Sequence, residues 1–274
     1  MRAPSLPEAL VAEVMQGMGD RGSLLLMTDY DGTLTPIVMT PAAARLAPGV
    51  RATLARLATI PRVDVAVISG RGLSDVREHV DIPELTYAGC HGLMIEGPTL
   101  NFIHPAATAA RPLVNELGAE LDRKLGGLRG VEIEVKDLCV SVHYRRAYPS
   151  DLAEVFFQVE RLRDQHGPRL VTQSGKKVIE LLPRVSWDKG ECALWLRDHL
   201  RPDPGAPEPA VVFLGDDETD ERAFEALRGK GITVRVGSGP RRSAALRWVE
   251  DVGIVHRFLV ALETELRGTD GPGG

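Results

Sequence analysis

The sequence predicts an α/β fold, a parallel sheet alternating with helices, into which a second, α+β domain is inserted. Three observations predict it. Apolar runs without alternation, Leu24 to Thr28 and Pro209 to Leu214, end abruptly in polar loops, as buried parallel strands do. Strand-like and helix-like stretches alternate from 24 to 93 and again from 188 to 236. Between them, from 104 to 183, the order changes to αββαββ, which is the only internal duplication in the chain.

The elements follow in order. Glu8 to Met18 carries a helical pattern behind Pro4 and Pro7, and Leu24 to Thr28 is the first buried strand. Pro48 to Thr59 places Leu54 and Leu57 on one helix face, Val63 to Ser69 is the second strand, Leu73 to Val80 a helix and Leu85 to Gly89 the third strand. Such βαβ units predict right-handed crossovers. Pro105 to Leu125 reads as one helix, and Val131–Lys136 with Leu138–Arg145 as a hairpin turning at Lys136-Asp137. Leu152 to His166 is helical again, and Leu170–Gln173 with Lys177–Leu182 form a second hairpin about Ser174-Gly175. Asp188 to His199 is a helix, Ala210 to Leu214 a strand, Glu221 to Leu227 a helix and Ile232 to Val236 a last strand. The Gly-rich end, Arg267 to Gly274, is expected to be disordered. The core is thus 1–103 and 184–274, and the inserted domain 104–183.

Composition narrows the class. With 274 residues and 43% apolar content, the chain can bury one good core or two smaller ones. A net charge of −5 with scattered arginines asks for neither nucleic acid nor an acidic membrane surface. Cys90, Cys139 and Cys192 are odd in number, widely spaced and without a metal-ligand pattern, so they read as reduced thiols of a cytoplasmic protein. No apolar stretch is long enough for a signal segment or a membrane span.

Chemistry concentrates at the ends of strands, where open α/β sheets bind ligands. Asp29 and Asp31 stand two residues apart on the Gly-bearing loop after the first strand, where their repulsion calls for a hard cation such as Mg²⁺. The run Asp216-Asp217-Glu218-Thr219-Asp220-Glu221 places five acids in six residues directly after another strand, again a costly arrangement without a counterion. Ser69-Gly70-Arg71 ends the second strand with a hydroxyl and a cation, and Asp188-Lys189-Gly190 opens a helix. A nucleophile, a metal cage, a hydroxyl and a lysine are all present.

These four clusters, in this order, resemble the four motifs of the haloacid dehalogenase superfamily of phosphatases. A narrower resemblance rests on Asp29-Tyr30-Asp31-Gly32-Thr33-Leu34-Thr35-Pro36, Ser69-Gly70-Arg71, His143-Tyr144-Arg145, Gly175-Lys176-Lys177 followed by Glu180, Asp188-Lys189-Gly190 and Gly215-Asp216-Asp217-Glu218-Thr219-Asp220. Together they are similar to the trehalose-6-phosphate phosphatases, from about Leu24 to about Val260. The resemblance implies a Rossmann-like core with an αββαββ cap and an Mg²⁺-dependent hydrolysis of trehalose 6-phosphate through an aspartyl-phosphate.

The resemblance also implies roles. Asp29 would be the nucleophile, and Asp31 the general acid and then the general base. The metal would be held by the Asp29 side chain, the backbone carbonyl of Asp31 and Asp216, with Asp217 and Asp220 either supporting it or solvated at the surface. Ser69 would donate to a phosphate oxygen, and Lys189 would neutralise the nucleophile and the developing charge. Arg71 either supports the phosphate loop or makes an ion pair. His91 is substrate-facing, a hinge residue or structural, and Cys90 beside it stands where the family usually has a small polar residue. Arg145, Lys176 and Glu180 resemble the sugar-recognising set. Three of the six lysines fall between Lys176 and Lys189, a concentration of positive charge suited to a phosphate ester. A sheet-and-helix cap would exclude stray nucleophiles and read the leaving group, so substrate choice is expected within 104–183.

Other readings differ in what they require. A phosphatase of the same subgroup acting on a sucrose phosphate or mannosyl-phosphoglycerate ester shares every catalytic residue. A phosphomutase would carry its cap earlier, between the first two motifs. A silent sugar-phosphate-binding regulator would lack a catalytic carboxylate, and Asp29, Asp31, Asp216 and Lys189 are all present. An ion pump would need spanning segments. No synthase domain is legible, so a separate trehalose-phosphate synthase is the expected functional partner.

Overall fold

The computed structural model describes residues 4–19, 22–200, 207–238 and 242–269. The chain divides into two compact units, one of Met1–Asn101 with Trp187–Gly274 and one of Phe102–Ser186.

The first unit is built on a sheet whose middle strands are parallel. Strands β1 (Leu24–Thr28), β2 (Val63–Ile68) and β3 (Thr86–Gly89) are joined through helices α2 (Pro48–Ala58) and α3 (Leu73–Val80). The hairpin strands β4 (Met94–Glu96) and β5 (Asn101–Ile103) follow, and β4 lies antiparallel on β3. After the second unit come α7 (Lys189–His199), β10 (Ala210–Gly215), α8 (Glu218–Ala226), β11 (Ile232–Val236), β12 (Arg247–Val249) and α9 (Val252–Thr269). The sheet order is β12-β11-β10-β1-β2-β3-β4-β5, so β1 lies between β10 and β2 and is parallel to both. Every residue of β1 is buried, which is why its sequence shows no alternation. The amino-terminal helix α1 (Pro7–Met18) and α2 pack on α9, while α7 packs on α8.

The second unit has α4 (Pro105–Ala109), α5 (Arg111–Leu125), β6 (Glu132–Val135), β7 (Val140–His143), α6 (Leu152–His166), β8 (Leu170–Gly175) and β9 (Val178–Pro183). Its four strands form an antiparallel sheet in the order β6-β7-β9-β8. One face of that sheet, with Val140, Val142, Ile179 and Leu181, packs on Leu117, Leu121, Val155, Val159 and Leu162 of α5 and α6. Directly paired residues share a face, so Glu134, Ser141, Glu180 and Gln173 form a polar row on the other.

Several elements differ from the sequence expectation. The helix expected over Pro105–Leu125 breaks at Ala110, because Pro112 has no N–H and its ring excludes the carbonyl four residues back. The second hairpin turns at Lys176-Lys177 rather than Ser174-Gly175, with Gly175 paired to Val178 and Lys177 at φ +67°. Helix α8 begins at Glu218, three residues earlier than expected, because Asp217 caps it. The β4–β5 hairpin, β12 and α9 had no counterpart in the pattern reading. The tail expected to be disordered begins inside α9, where Arg267 donates to Glu263 at 2.7 Å, and its remainder from 270 lies outside the described residues. Among the described residues, no helix is long and apolar enough to cross a membrane.

Candidate active site

The carboxyl edge of the sheet gathers the loops after β1, β2 and β10. Asp29 extends the β1 ladder, its N–H donating to Leu214 O at 2.8 Å, and the chain then turns through Gly32, whose N–H donates to Thr35 O at 2.7 Å. Gly32 has φ +89°, and a Cβ there would stand 1.9 Å from Asp216 Oδ2. A glycine is required on both counts. Gly32→Ala is therefore expected to displace the Asp216 carboxylate, lowering divalent-metal affinity and kcat together, while backbone strain of about 1–2 kcal/mol appears as a lower Tm. Metal titration by calorimetry beside a thermal melt checks this.

Lys189 joins the loop after β1 to the first turn of α8. It is the first residue of α7, whose amino terminus is capped by Asp188 Oδ1 accepting from Gly190 N at 2.7 Å and Glu191 N at 3.2 Å. Its ammonium, 3% exposed, donates to Asp29 Oδ1 and to Asp220 Oδ1, each at 2.7 Å. Asp220 Oδ2 accepts from the backbone N–H of Asp216 at 2.9 Å and of Asp217 at 3.1 Å. Gly215 permits this fold-back, since a Cβ there would meet Asp220 Cβ at 2.4 Å. Asp217 in turn accepts from Thr219 N and Oγ1, each at 2.8 Å. The acidic run is thus neither a solvated surface nor a uniform ligand set. Asp217 caps a helix, Asp220 shapes the loop and anchors Lys189, and Asp216 is aimed at the Gly32 turn.

Electrostatics leave this cluster short of positive charge. Burial, followed by the charges of Asp220, Asp216 and Asp217, raises the Asp29 carboxyl well above its usual range, and Lys189 only partly opposes it. Burial disfavours the Lys189 ammonium, yet Asp220, Asp29 and Asp217 more than restore it, so it stays a cation. Lys189 faces Asp29 and Asp220 together, and a divalent ion would offset further negative charge in such a cluster. Oxygens of Asp29, Asp216 and Asp220 lie within 4.8 Å of one another, and hard oxygen donors suit Mg²⁺ or Mn²⁺. The carboxylates brought together are therefore Asp29, Asp216 and Asp220. The Asp31 carboxylate, by contrast, is held by Arg71.

Ser69 and Arg71 close the site on the β2 side. Ser69 is buried, and its Oγ accepts from Arg71 N at 3.2 Å. The Arg71 guanidinium engages Asp31 at 2.6 and 2.9 Å, so the ion-pair alternative describes its position. The segment Cys90-His91-Gly92 is left-handed throughout, at φ +49°, +58° and +94°. Its backbone ties down the loop after β2, with His91 N donating to Ser69 O at 2.9 Å and Cys90 N to Arg71 O at 2.7 Å. Two consecutive non-glycine residues in that region, Cys90 and His91, carry a backbone cost that these hydrogen bonds hold in place.

In the second unit, Glu180 is buried and accepts from Lys136 Nζ at 2.8 Å and Ser141 Oγ at 2.9 Å. His143 Nε2 lies 2.8 Å from Glu134 Oε2. Burial would raise the Glu134 carboxyl, but the hydrogen bond to His143 and the charge of Lys136 outweigh it and hold it low. Arg145 donates to the carbonyl of Lys176 at the hairpin tip. Glu134 and Ser141 have no role in the sequence reading, Lys136 enters it only as a turn residue, and His143 only within the His143-Tyr144-Arg145 motif. The alternation of Glu132, Glu134 and Lys136 against Ile133 and Val135 was the available signal.

Comparison with known proteins decides the family. The family model for trehalose-phosphatase matches residues 27–251, most of the chain. The chain belongs to the trehalose-phosphatase family. Among these trehalose-phosphatases, the trehalose-phosphate phosphatase of Mycobacterium tuberculosis (strain H37Rv) is 40% identical over 271 residues, covering 97% of this chain and 68% of that protein. The fold is that of solved relatives. The C-terminal domain of the Candida albicans trehalose-6-phosphate phosphatase superposes with a TM-score of 0.80 at 24% identity, covering 96% of this chain and 99% of that one. A haloacid dehalogenase-like hydrolase from Bacteroides thetaiotaomicron superposes at 0.62 with 14% identity, covering 88% of this chain and 99% of that one. The trehalose-phosphatase chain thus has the expected α/β class and haloacid dehalogenase-like fold.

Proposed function

We propose that this trehalose-phosphatase hydrolyses trehalose 6-phosphate to trehalose and phosphate through an aspartyl-phosphate on Asp29. The observation that carries it is the Lys189 ammonium, 2.7 Å from both Asp29 and Asp220, beneath an oxygen cluster of metal-binding size. Asp29 attacks the phosphorus in line while the bond to the sugar oxygen breaks, and Asp31 supplies the proton that oxygen needs. Asp31 then takes a proton from the water that opens the acyl-phosphate. Lys189 and the Ser69 hydroxyl offset charge on the phosphoryl oxygens. Asp29, Asp216 and the Asp31 carbonyl would hold Mg²⁺, whose contribution is to neutralise phosphoryl charge.

Sugar recognition falls to the second unit. Its polar row of Glu134, Ser141, Glu180 and Gln173, with Lys136 donating to Glu180, offers donors and acceptors suited to glucose hydroxyls, with Arg145 and Lys176 at the adjoining turns. Residues 104–183 therefore act as the cap that reads the leaving group, and residues 1–103 with 184–274 as the catalytic core. Three buried cysteines outside any disulfide suit a reducing cytoplasm. The substrate would come from a trehalose-phosphate synthase.

Phosphate release is to be measured on trehalose 6-phosphate, glucose 6-phosphate, sucrose 6-phosphate and mannosyl-phosphoglycerate, with Mg²⁺ and with a chelator. Metal-dependent release selective for trehalose 6-phosphate is expected. Equal rates across the panel would reject the specificity and keep the phosphatase, while release unaffected by the chelator would reject the metal.

A further inference from the structure

Arg71 follows shortly after the end of β2, yet little of it is left to hold a phosphate. Nε donates to Asp31 Oδ2 at 2.6 Å and Nη2 to Asp31 Oδ1 at 2.9 Å, a two-pronged grip on one carboxylate. Nη2 also donates to Pro41 O at 2.7 Å, and Nη1 to Asp75 Oδ2 at 2.7 Å. Four hydrogen bonds draw on a group with about five N–H directions. The Tyr30 ring lies against the guanidinium, 5.1 Å from centroid to Cζ, and is itself fixed by its hydroxyl donating to Ala44 O at 2.9 Å.

The two ends of this pair differ in freedom. Arg71 is 7% exposed and is anchored by Asp75, Pro41 and Tyr30 without help from Asp31, whose side chain is 34% exposed. The clamp is held from several sides, while its client is partly exposed. Asp75 also keeps the buried guanidinium paired when Asp31 turns to a substrate, so Asp31 can leave without stranding a cation. A lysine could not do this, because one ammonium cannot span both oxygens of Asp31 and Asp75 as well.

We infer that Arg71 is a positioning residue, docking the Asp31 carboxylate at the place from which it protonates the leaving sugar oxygen. This rests on the function proposed above. It assigns Arg71 to the leaving group rather than to the phosphate. Its backbone N–H to Ser69 Oγ survives any change of side chain, so a substitution at 71 isolates the clamp.

The test compares kcat/KM, which reports the steps up to loss of the alcohol, on trehalose 6-phosphate and on p-nitrophenyl phosphate. The second ester expels a stable phenolate that needs no proton. Arg71→Met is expected to lower kcat/KM on trehalose 6-phosphate by about 10–100-fold, part of a general acid's usual contribution, and on p-nitrophenyl phosphate by less than about 3-fold. In an Asp31→Asn background the same substitution should cost nothing further, because both act through one carboxylate. Arg71→Lys keeps the charge without the fork and should fall between, and it carries the comparison should Arg71→Met not fold. Equal losses on both esters would assign Arg71 to the phosphate and overturn the inference, as would no loss or a full additional loss in the Asp31→Asn background. A wild type inactive on trehalose 6-phosphate would instead reject the proposed substrate, and the comparison would then use whichever sugar phosphate it hydrolyses.

Discussion

Asp29→Asn is expected to abolish release of phosphate from trehalose 6-phosphate, by about 10⁴-fold or more in kcat, while leaving the protein folded. The amide cannot form the acyl-phosphate, and Asp220, the other carboxylate on Lys189, is tied to the backbone N–H groups of Asp216 and Asp217. Stability should move the other way. Asp29 is buried beside Asp216 and Asp220 with Asp217 close by, so removing its charge relieves repulsion that Lys189 only partly offsets, and the metal-free variant should melt no lower than wild type. Metal binding supplies a second check. A ligand carboxylate must lose its proton to bind, and burial holds the Asp29 proton to higher pH than usual. Mg²⁺ affinity of the wild type should therefore rise with pH through the range in which Asp29 ionises, and calorimetry at several pH values should show that slope reduced in Asp29→Asn. Residual turnover near the wild-type rate would remove Asp29 as the nucleophile.

Lys189→Met is expected to cost both stability and activity. The ammonium sits between Asp29 and Asp220, all three side chains at 7% exposure or less, and methionine of similar length would leave two buried carboxylates without their cation. Breaking a buried pair in this way costs about 3–5 kcal/mol. The loss should shrink as pH falls. Both carboxyls are raised by burial, so protonating them removes the unpaired charge that the substitution exposes. Urea unfolding at two pH values measures this directly. Bound Mg²⁺ should recover part of the stability and little of the turnover, since the metal replaces the charge but not the donor to the phosphoryl group. A variant as stable as wild type at every pH would show that the cluster does not depend on Lys189.

Residues 24–34 and 209–221 show where pattern reading succeeds. A strand buried on both faces must be apolar throughout, and the polar loop at its end must be short and Gly-bearing, so strand, loop and acids can be read from neighbouring positions alone. Roles within the acidic run could not be read that way. Asp216, Asp217 and Asp220 are chemically identical, and which one faces the Gly32 turn, caps α8 or anchors Lys189 follows from the φ/ψ of the loop and the absence of a Cβ at Gly215. Arg71 was ambiguous for the same reason, since Asp31 lies 40 residues away and Pro41 on another loop. In the second unit, Glu134 and Lys136 reach Glu180 only across β7, so their meeting depends on strand register.

By itself, the sequence determined the α/β class, the inserted αββαββ segment, the order of the strand-end clusters and the family. Each of these is carried by local periodicity or by residues contiguous in a motif. Only the tertiary structure decided which carboxylates share one 4.8 Å cluster, that Lys189 joins the loop after β1 to α8 and that Arg71 holds Asp31. Those facts are distances between segments far apart in the chain, set by how strands align and loops fold back, and no local pattern encodes them.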